Sequence, residues 1–283
     1  MAKVITESTP GPADKATAAS TRLKSLTQYI ALPFGVLVLW ELLGKFDLLP
    51  YGIIPRPSIV VQGWYEWAFG PQGIGLNAYS GTWFSNVRFS AQRVVKGYIL
   101  AIVLGVPLGI LIGWSRLIAR MTDPLVQSLR PIPITAWLPF SIALFGIRDF
   151  GAIFLICLGA FYPIVVNSTH GARDINRNLI RAATMMGASN SQLLFRVIFP
   201  NALPSIFTGM RIGLGIAWTA VIVAEMVAVK SGLGYVLWDA YYVGRMDVVI
   251  ADMASIGIMG FLSDRIIVFI AGRVLHWKQF QSH

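Results

Sequence analysis

The sequence predicts an all-α protein, a polytopic bundle of transmembrane helices with about six spans. Three observations carry that prediction. Of its 283 residues, 55% are hydrophobic and only 13% charged, a balance foreign to soluble globular chains. Long runs carry no charge at all: Gly97 to Ser115, Pro131 to Ile147, Phe150 to Ser168 and Ile212 to Ala224. Tyr29 to Leu43 carries only Glu41, and Val248 to Phe261 only Asp252. A bilayer is crossed by about 20 apolar residues, so the middle runs qualify outright and the outer ones qualify with snorkelling flanks. Third, the cations border these runs and do not gather on one polar domain.

Taken in order, residues 1–28 are rich in Ala, Ser, Thr, Pro and Lys and read as a disordered tail. A first span of about 29–46 follows, with no small-residue cleavage site behind it, so it is read as retained. Residues 29–82 comprise this span and an outer loop. In that loop, Ser58 to Phe69 is amphipathic, with Trp64 and Trp67 placed as interfacial anchors. Trp83 to Lys96 reads as a helix with Arg88 and Arg93 on its polar side, leading into the second span. There Gly105, Gly109 and Gly113 repeat every fourth residue, a spacing that lets two backbones approach closely in lipid. Scattered glycines in an apolar helix are the plainer alternative. Pro107 implies a kink.

The third span opens at Asp123-Pro124 and then meets Arg130-Pro131-Ile132-Pro133-Ile134-Thr135-Ala136-Trp137-Leu138-Pro139. Three prolines in that stretch cannot form an ordinary helix, since each removes a donor and clashes with the turn before it. Broken backbone at membrane depth survives where protein or a watery cavity covers it, so Arg130, Pro131, Pro133 and Trp137 are candidates for a solute pathway. A kinked structural helix is the alternative, and Arg130 itself could be a cytoplasmic anchor or a partner of Asp123. The fourth span contains the lone Cys157, read as packing, and ends near His170, read as interfacial. The fifth carries Gly209 and Gly213, then Glu225. A carboxylate in an apolar run is either functional or bonded to a neighbouring helix. Gly232 to Asp247 reads as an outer loop, and the sixth span carries Asp252.

Between the fourth and fifth spans lies the longest mainly polar stretch of the second half, residues 174–204. Asp174 or Asn176 can cap a helix whose Leu179, Ala183 and Met186 share a face. Gly187 stands where a helix end takes positive φ, and Ser189 and Gln192 have capping-box spacing. Leu193, Leu194, Val197 and Ile198 form a second stripe, which Pro200 is expected to stop. This hairpin either rests on lipid headgroups or docks a cytoplasmic partner.

Arg181-Ala182-Ala183, Gly187 and Ile198-Phe199-Pro200 resemble the EAA loop of ABC importer permeases, with Arg in place of the frequent Glu and Phe-Pro one residue closer to the glycine. The proline-rich segment, with Phe207 to Gly213 and Ala224-Glu225-Met226, is similar to the nitrate/sulfonate/taurine branch of that family. The resemblance implies a type I importer permease domain over 83–273. It makes 174–204 the coupling hairpin, with Arg181, Ala182, Ala183, Gly187 and Pro200 facing the ATPase. It also implies ABC ATPase subunits that hold ATP and Mg, an extracytoplasmic solute-binding protein, and a second copy of this chain. No cofactor is expected on the chain itself. Both termini, including a tail at 274–283, would lie in the cytoplasm of a bacterial inner membrane, which places most cations inside and leaves Arg88, Arg93 and Lys96 outside.

Other classes are disfavoured. The net charge of +10 follows the span borders, which removes the nucleic-acid reading. No acid–His–Ser grouping, zinc motif or phosphate-binding loop is present, so neither enzyme chemistry nor ATP binding is expected here. A secondary transporter or channel relaying protons through Glu225 and Asp252 is the remaining rival.

Overall fold

The computed structural model describes residues 31–46, 48, 53–71 and 78–276. The tail read at 1–28, the start of the first span and the last residues of the 274–283 tail lie outside the described residues. All described regular structure is helical.

In the first of two compact units, ending at Gln62, residues 31–45 form helix α1 and Pro57 begins helix α2 (Pro57–Phe69). Glu41, the one acid of the first apolar run, accepts hydrogen bonds from the Ser58 backbone N–H at 3.0 Å and the Ser58 hydroxyl at 2.8 Å. It caps the next helix, where a negative group meets orphan N–H donors.

The second unit, Gly63 onward, is built on three long helices: α3 (Trp83–Trp114), α6 (Asp149–Arg173) and α9 (Phe199–Ala228). Helix α6 lies between the other two, and small residues make that possible. A Cβ on Gly109 would stand 2.5 Å from Ser168 Cβ and 2.6 Å from the Val165 carbonyl oxygen. One on Gly113 would meet Ala172 Cβ at 2.5 Å, and one on Gly105 would meet Ile164 at 3.0 Å. The opposite side of α6 receives α9, where Gly209 lies against Asn167 and the Pro163 carbonyl, and Gly213 against that of Ala160. Thr169 Oγ1 donates to the Gly109 carbonyl at 3.0 Å, crossing the seam so closely because no side chain intervenes.

Helix α11 (Met246–Val274) completes the long helices. Counting it with α3, α6 and the 39-residue run 190–228, four helices among the described residues are long and apolar enough to cross a membrane. A fifth candidate is a broken pair: α4 (Arg116–Leu129) followed, at a 94° bend, by a 3₁₀ turn (Ile134–Trp137) and α5 (Leu138–Phe145). The first expected span, read at 29–46, begins outside the described residues.

Three local expectations are corrected. The third span does not open at Asp123-Pro124: α4 starts at Arg116, capped by Ser115, and holds Pro124 inside, while the break falls at 130–133. Gly232 to Asp247 is not a loop but contains helix α10 (Leu233–Tyr242). Pro200 stops nothing: it follows a widened turn at the start of α9, and the helical run continues through it to Ala228. The turn before it widens into a π segment (Leu193–Ile198), with Phe199 N–H donating to the Leu194 carbonyl, five residues back.

Candidate translocation cavity, buried clamp and hairpin

The broken segment frames a cavity of about 370 Å³. Arg130, Pro131, Pro133 and Trp137 line one side, and α6 and α9 close it with Tyr162, Asn167 and Ile216. The four residues singled out from the proline pattern thus share one cavity. Asp123 is not the partner of Arg130: it pairs with Arg173 at 2.7 Å, and Arg130 has no ion pair among the described residues. The Trp137 indole N–H is buried and likewise without a hydrogen-bond partner. Arg130 is thus an uncommitted cation beside this space, whereas the Trp137 N–H is sealed within the protein and does not face it. A guanidinium with no counterion within the protein suits an anionic, acceptor-rich occupant.

Glu225, expected with these residues in the solute pathway, does not line this cavity. It is fully buried in a structural clamp. Asn86, Ser90 and Arg93 fall at i, i+4 and i+7 of α3, one helical face. Arg93 Nη1 donates to Glu225 Oε1 at 2.7 Å and to the Ser231 carbonyl at 2.8 Å. Its Nη2 donates to Ser231 Oγ at 2.7 Å, and its Nε to Asp149 Oδ1 at 2.8 Å. Ser90 Oγ and the Gly234 N–H both donate to Glu225 Oε2, at 2.8 and 2.9 Å. Asn86 Oδ1 accepts from Gly232 N–H, and Ser90 Oγ from Leu233 N–H. Three successive N–H groups at the start of α10 are thereby satisfied by side chains. Gly232 has φ +106, and a Cβ there would enter the Glu225 carboxyl. Arg93 is therefore no surface residue, unlike Arg88, five positions earlier and exposed. The signal available in the sequence was the polar face Asn86-Ser90-Arg93, one turn before the uncharged run.

Asp252 is also fully buried, and neither of its oxygens has a hydrogen-bond partner among the described residues. It does not line the Arg130 cavity. The two carboxylates of the proton-relay rival are thus one clamped and one sealed.

At the end of the bundle where α3 and α6 finish, residues 174–204 fold as a hairpin. Asn176 caps α7 (Arg177–Met185) by accepting from Asn178 N–H at 2.9 Å. Gly187 takes φ +80, with Ala188 N–H returning to the Ala183 carbonyl. Ser189 and Gln192 then form both bonds of a capping box that opens the short helix α8 (Asn190–Gln192). Ile180, Ala183, Leu194 and Ile198 face the core against Ala172, Ala202 and Ile206. The expected shared face of Leu179, Ala183 and Met186 is split: Ala183 is buried, whereas Leu179 and Met186 are exposed. Met185 and Met186 are more than four-fifths exposed, Phe195 two-thirds, and Arg181 and Ala182 lie beside them at the surface. Around Gly187 a Cβ would meet nothing, so the residue is glycine for its φ and not for a contact within this chain.

This geometry has counterparts in known proteins. Residues 105–276 match the model of the family described as "binding-protein-dependent transport system inner membrane component". The chain belongs to that family. Among its relatives, the permease is 34% identical to the nitrate import permease protein of Synechocystis sp. over 86% of this chain and 87% of that one. It is 33% identical to the taurine transport system permease protein of Escherichia coli over 91% of this chain and 94% of that one. In fold, it is similar to a chain of the MetNI methionine ABC transporter in an inward-facing conformation. The TM-score is 0.61 and identity 23%, over 68% of this chain and 95% of the other. The protein is therefore a membrane permease component of an ABC importer, with the expected importer-permease fold.

Proposed function

We propose that this permease carries a small oxyanion, of the nitrate or aliphatic sulfonate class, through the cavity at Arg130. The observation that carries the reading is an uncommitted guanidinium lining a cavity whose near wall is a twice-proline-broken backbone. Planar donor forks match nitrate and sulfonate oxygens better than an ammonium does. The names of the nitrate and taurine permeases among the relatives support the same solute class.

In this reading an extracytoplasmic binding protein delivers the solute, and a second copy of the chain completes the path. ATP and Mg are held by separate ATPase subunits, not by this chain. The hairpin docks on them through its exposed face, where Met185, Met186 and Phe195 form an adaptable apolar knob beside Arg181, Ala182 and Gly187. Pro200 then lies where the hairpin passes into α9. Both termini and the hairpin lie on the cytoplasmic side of a bacterial inner membrane.

The test is uptake with Arg130→Lys and Arg130→Gln at limiting solute. Losing a charge-assisted contact costs about 1.5–3 kcal/mol, roughly a tenfold to hundredfold fall in uptake efficiency. Both variants should show that fall while the ATPase still co-purifies. Full uptake by Arg130→Lys removes the anion-binding role.

A further inference from the structure

A second cavity, of about 580 Å³, opens where the hairpin joins the bundle. Four arginines line it: Arg116 from the start of α4, Arg173 from the end of α6, and Arg177 and Arg181 from α7. One acid answers them, Asp123, which pairs with Arg173 at 2.7 Å. Arg116, Arg177 and Arg181 have no ion pair among the described residues. The remaining wall is apolar, with Trp114, Ile175, Ile180 and Ile198. The Arg130 cavity shares no residue with it.

We propose that this cavity seats the phosphate group of an anionic phospholipid. Guanidinium clusters recognise phosphate through several charge-assisted bonds at once, and basic pockets between membrane helices are suited to anionic headgroups. Two features select a lipid over a free phosphate ion. The cavity lies where two apolar spans end, at Trp114 and Arg173, which is headgroup depth, and half its wall is hydrocarbon. Second, an apolar strip starts at its rim. Leu117, Met121 and Leu125 follow Arg116 at i, i+4 and i+8 of α4 and are 69%, 68% and 62% exposed, a flank along which acyl chain can lie. The occupied site would tie α4, α6 and α7 together at the root of the hairpin. This goes beyond the proposed transport and does not depend on which solute is carried.

The experiment uses the purified full chain, delipidated in neutral detergent. It is titrated with dioleoyl phosphatidylglycerol, dioleoyl phosphatidylcholine or inorganic phosphate, and binding is read by native mass spectrometry and thermal stabilisation. The double variant Arg116→Gln/Arg177→Gln removes two cavity cations, and Arg120→Gln/Arg196→Gln removes two exposed cations outside it. Wild type should hold phosphatidylglycerol at least tenfold more tightly than phosphatidylcholine. The cavity double variant should lose about thirtyfold, at the strength of two lipid-facing cations, while the control pair stays within threefold of wild type. Equal loss in both pairs, equal binding of the two lipids, or full displacement of phosphatidylglycerol by millimolar phosphate would each overturn the proposal. So would displacement of the lipid by added ATPase subunit, which would make the cavity a protein contact.

Discussion

Replacing Arg93 with methionine tests the clamp at its centre. The variant keeps the helical stem and apolar volume but withdraws the donors that reach Glu225, Ser231 and Asp149. These losses are unequal. Asp149 is 62% exposed and rehydrates on losing its partner, so that bond contributes little. Glu225 is 0% exposed and keeps only the Ser90 and Gly234 donors around a charge whose counterion is gone. Leaving such a charge unpaired costs about 3–5 kcal/mol. For a chain of this size, that lowers the thermal midpoint by roughly 6–20 °C, at about 2–4 °C per kcal/mol. The double variant Arg93→Met/Glu225→Gln removes the buried charge as well and should recover most of the loss. Thermal unfolding of wild type, both single variants and the double variant in one detergent, followed by circular dichroism, gives the full cycle. The reasoning fails if Arg93→Met unfolds within 1 kcal/mol of wild type, or if the double variant is less stable than Arg93→Met alone.

Three further outcomes follow from contacts elsewhere. Gly109→Leu drives a side chain into Ser168 and the Val165 carbonyl, so detergent sizing should show loss of monodisperse protein, whereas Leu104→Ala at an exposed position should leave it intact. Ala182→Trp adds bulk on the outer hairpin face without touching the core; the midpoint should hold within about 1 °C while ATPase co-purification falls at least tenfold. Tyr79→Phe deletes the hydroxyl that donates to Asp239 Oδ2 at 2.7 Å and should cost about 1.5–3 kcal/mol. Burial first, and then that hydrogen bond, push the Tyr79 phenol above its ordinary value. Its contribution is therefore fully present below the unfolded tyrosine value of about 10 and declines only at more alkaline pH; a wild-type-minus-variant difference that shrinks between pH 7 and 9 contradicts this.

Where a feature is governed by neighbours in the chain, the residues announced it. Ser189 and Gln192 stand at capping distance, Gly187 follows a helix, and the prolines from 131 to 139 cannot continue one; all three depend on bonds within a few residues. Features set by distant partners were hidden or misread. Arg93 looks like a flank of the second span until Glu225, 132 positions away, is brought to it. Gly232-Leu233-Gly234 looks like a loop because glycine usually marks one, yet here glycine makes room for a carboxyl from another helix. Leu179, Ala183 and Met186 were placed on one face without saying which way it turns, because apolar periodicity cannot tell a core stripe from a surface kept apolar for a partner. Pro200 was read as a stop because proline breaks a regular helix, yet a widened turn before it lets the run continue.

The π segment joins the hairpin to a span that also walls the Arg130 cavity, and Asn190–Ala228 continues as one helical run of 39 residues. At about 1.5 Å per residue, Ile216 stands roughly 30 Å from the midpoint of that segment. The run carries a widened turn near its hairpin end, with Pro204 inside α9 just beyond it. A tilt of 10° about that turn sweeps the cavity wall sideways by about 5 Å, and a return from the wide turn to regular α-helix rotates the run by roughly 100°, one residue's worth. Small angular play at the hairpin thus becomes a displacement comparable to the diameter of a small oxyanion.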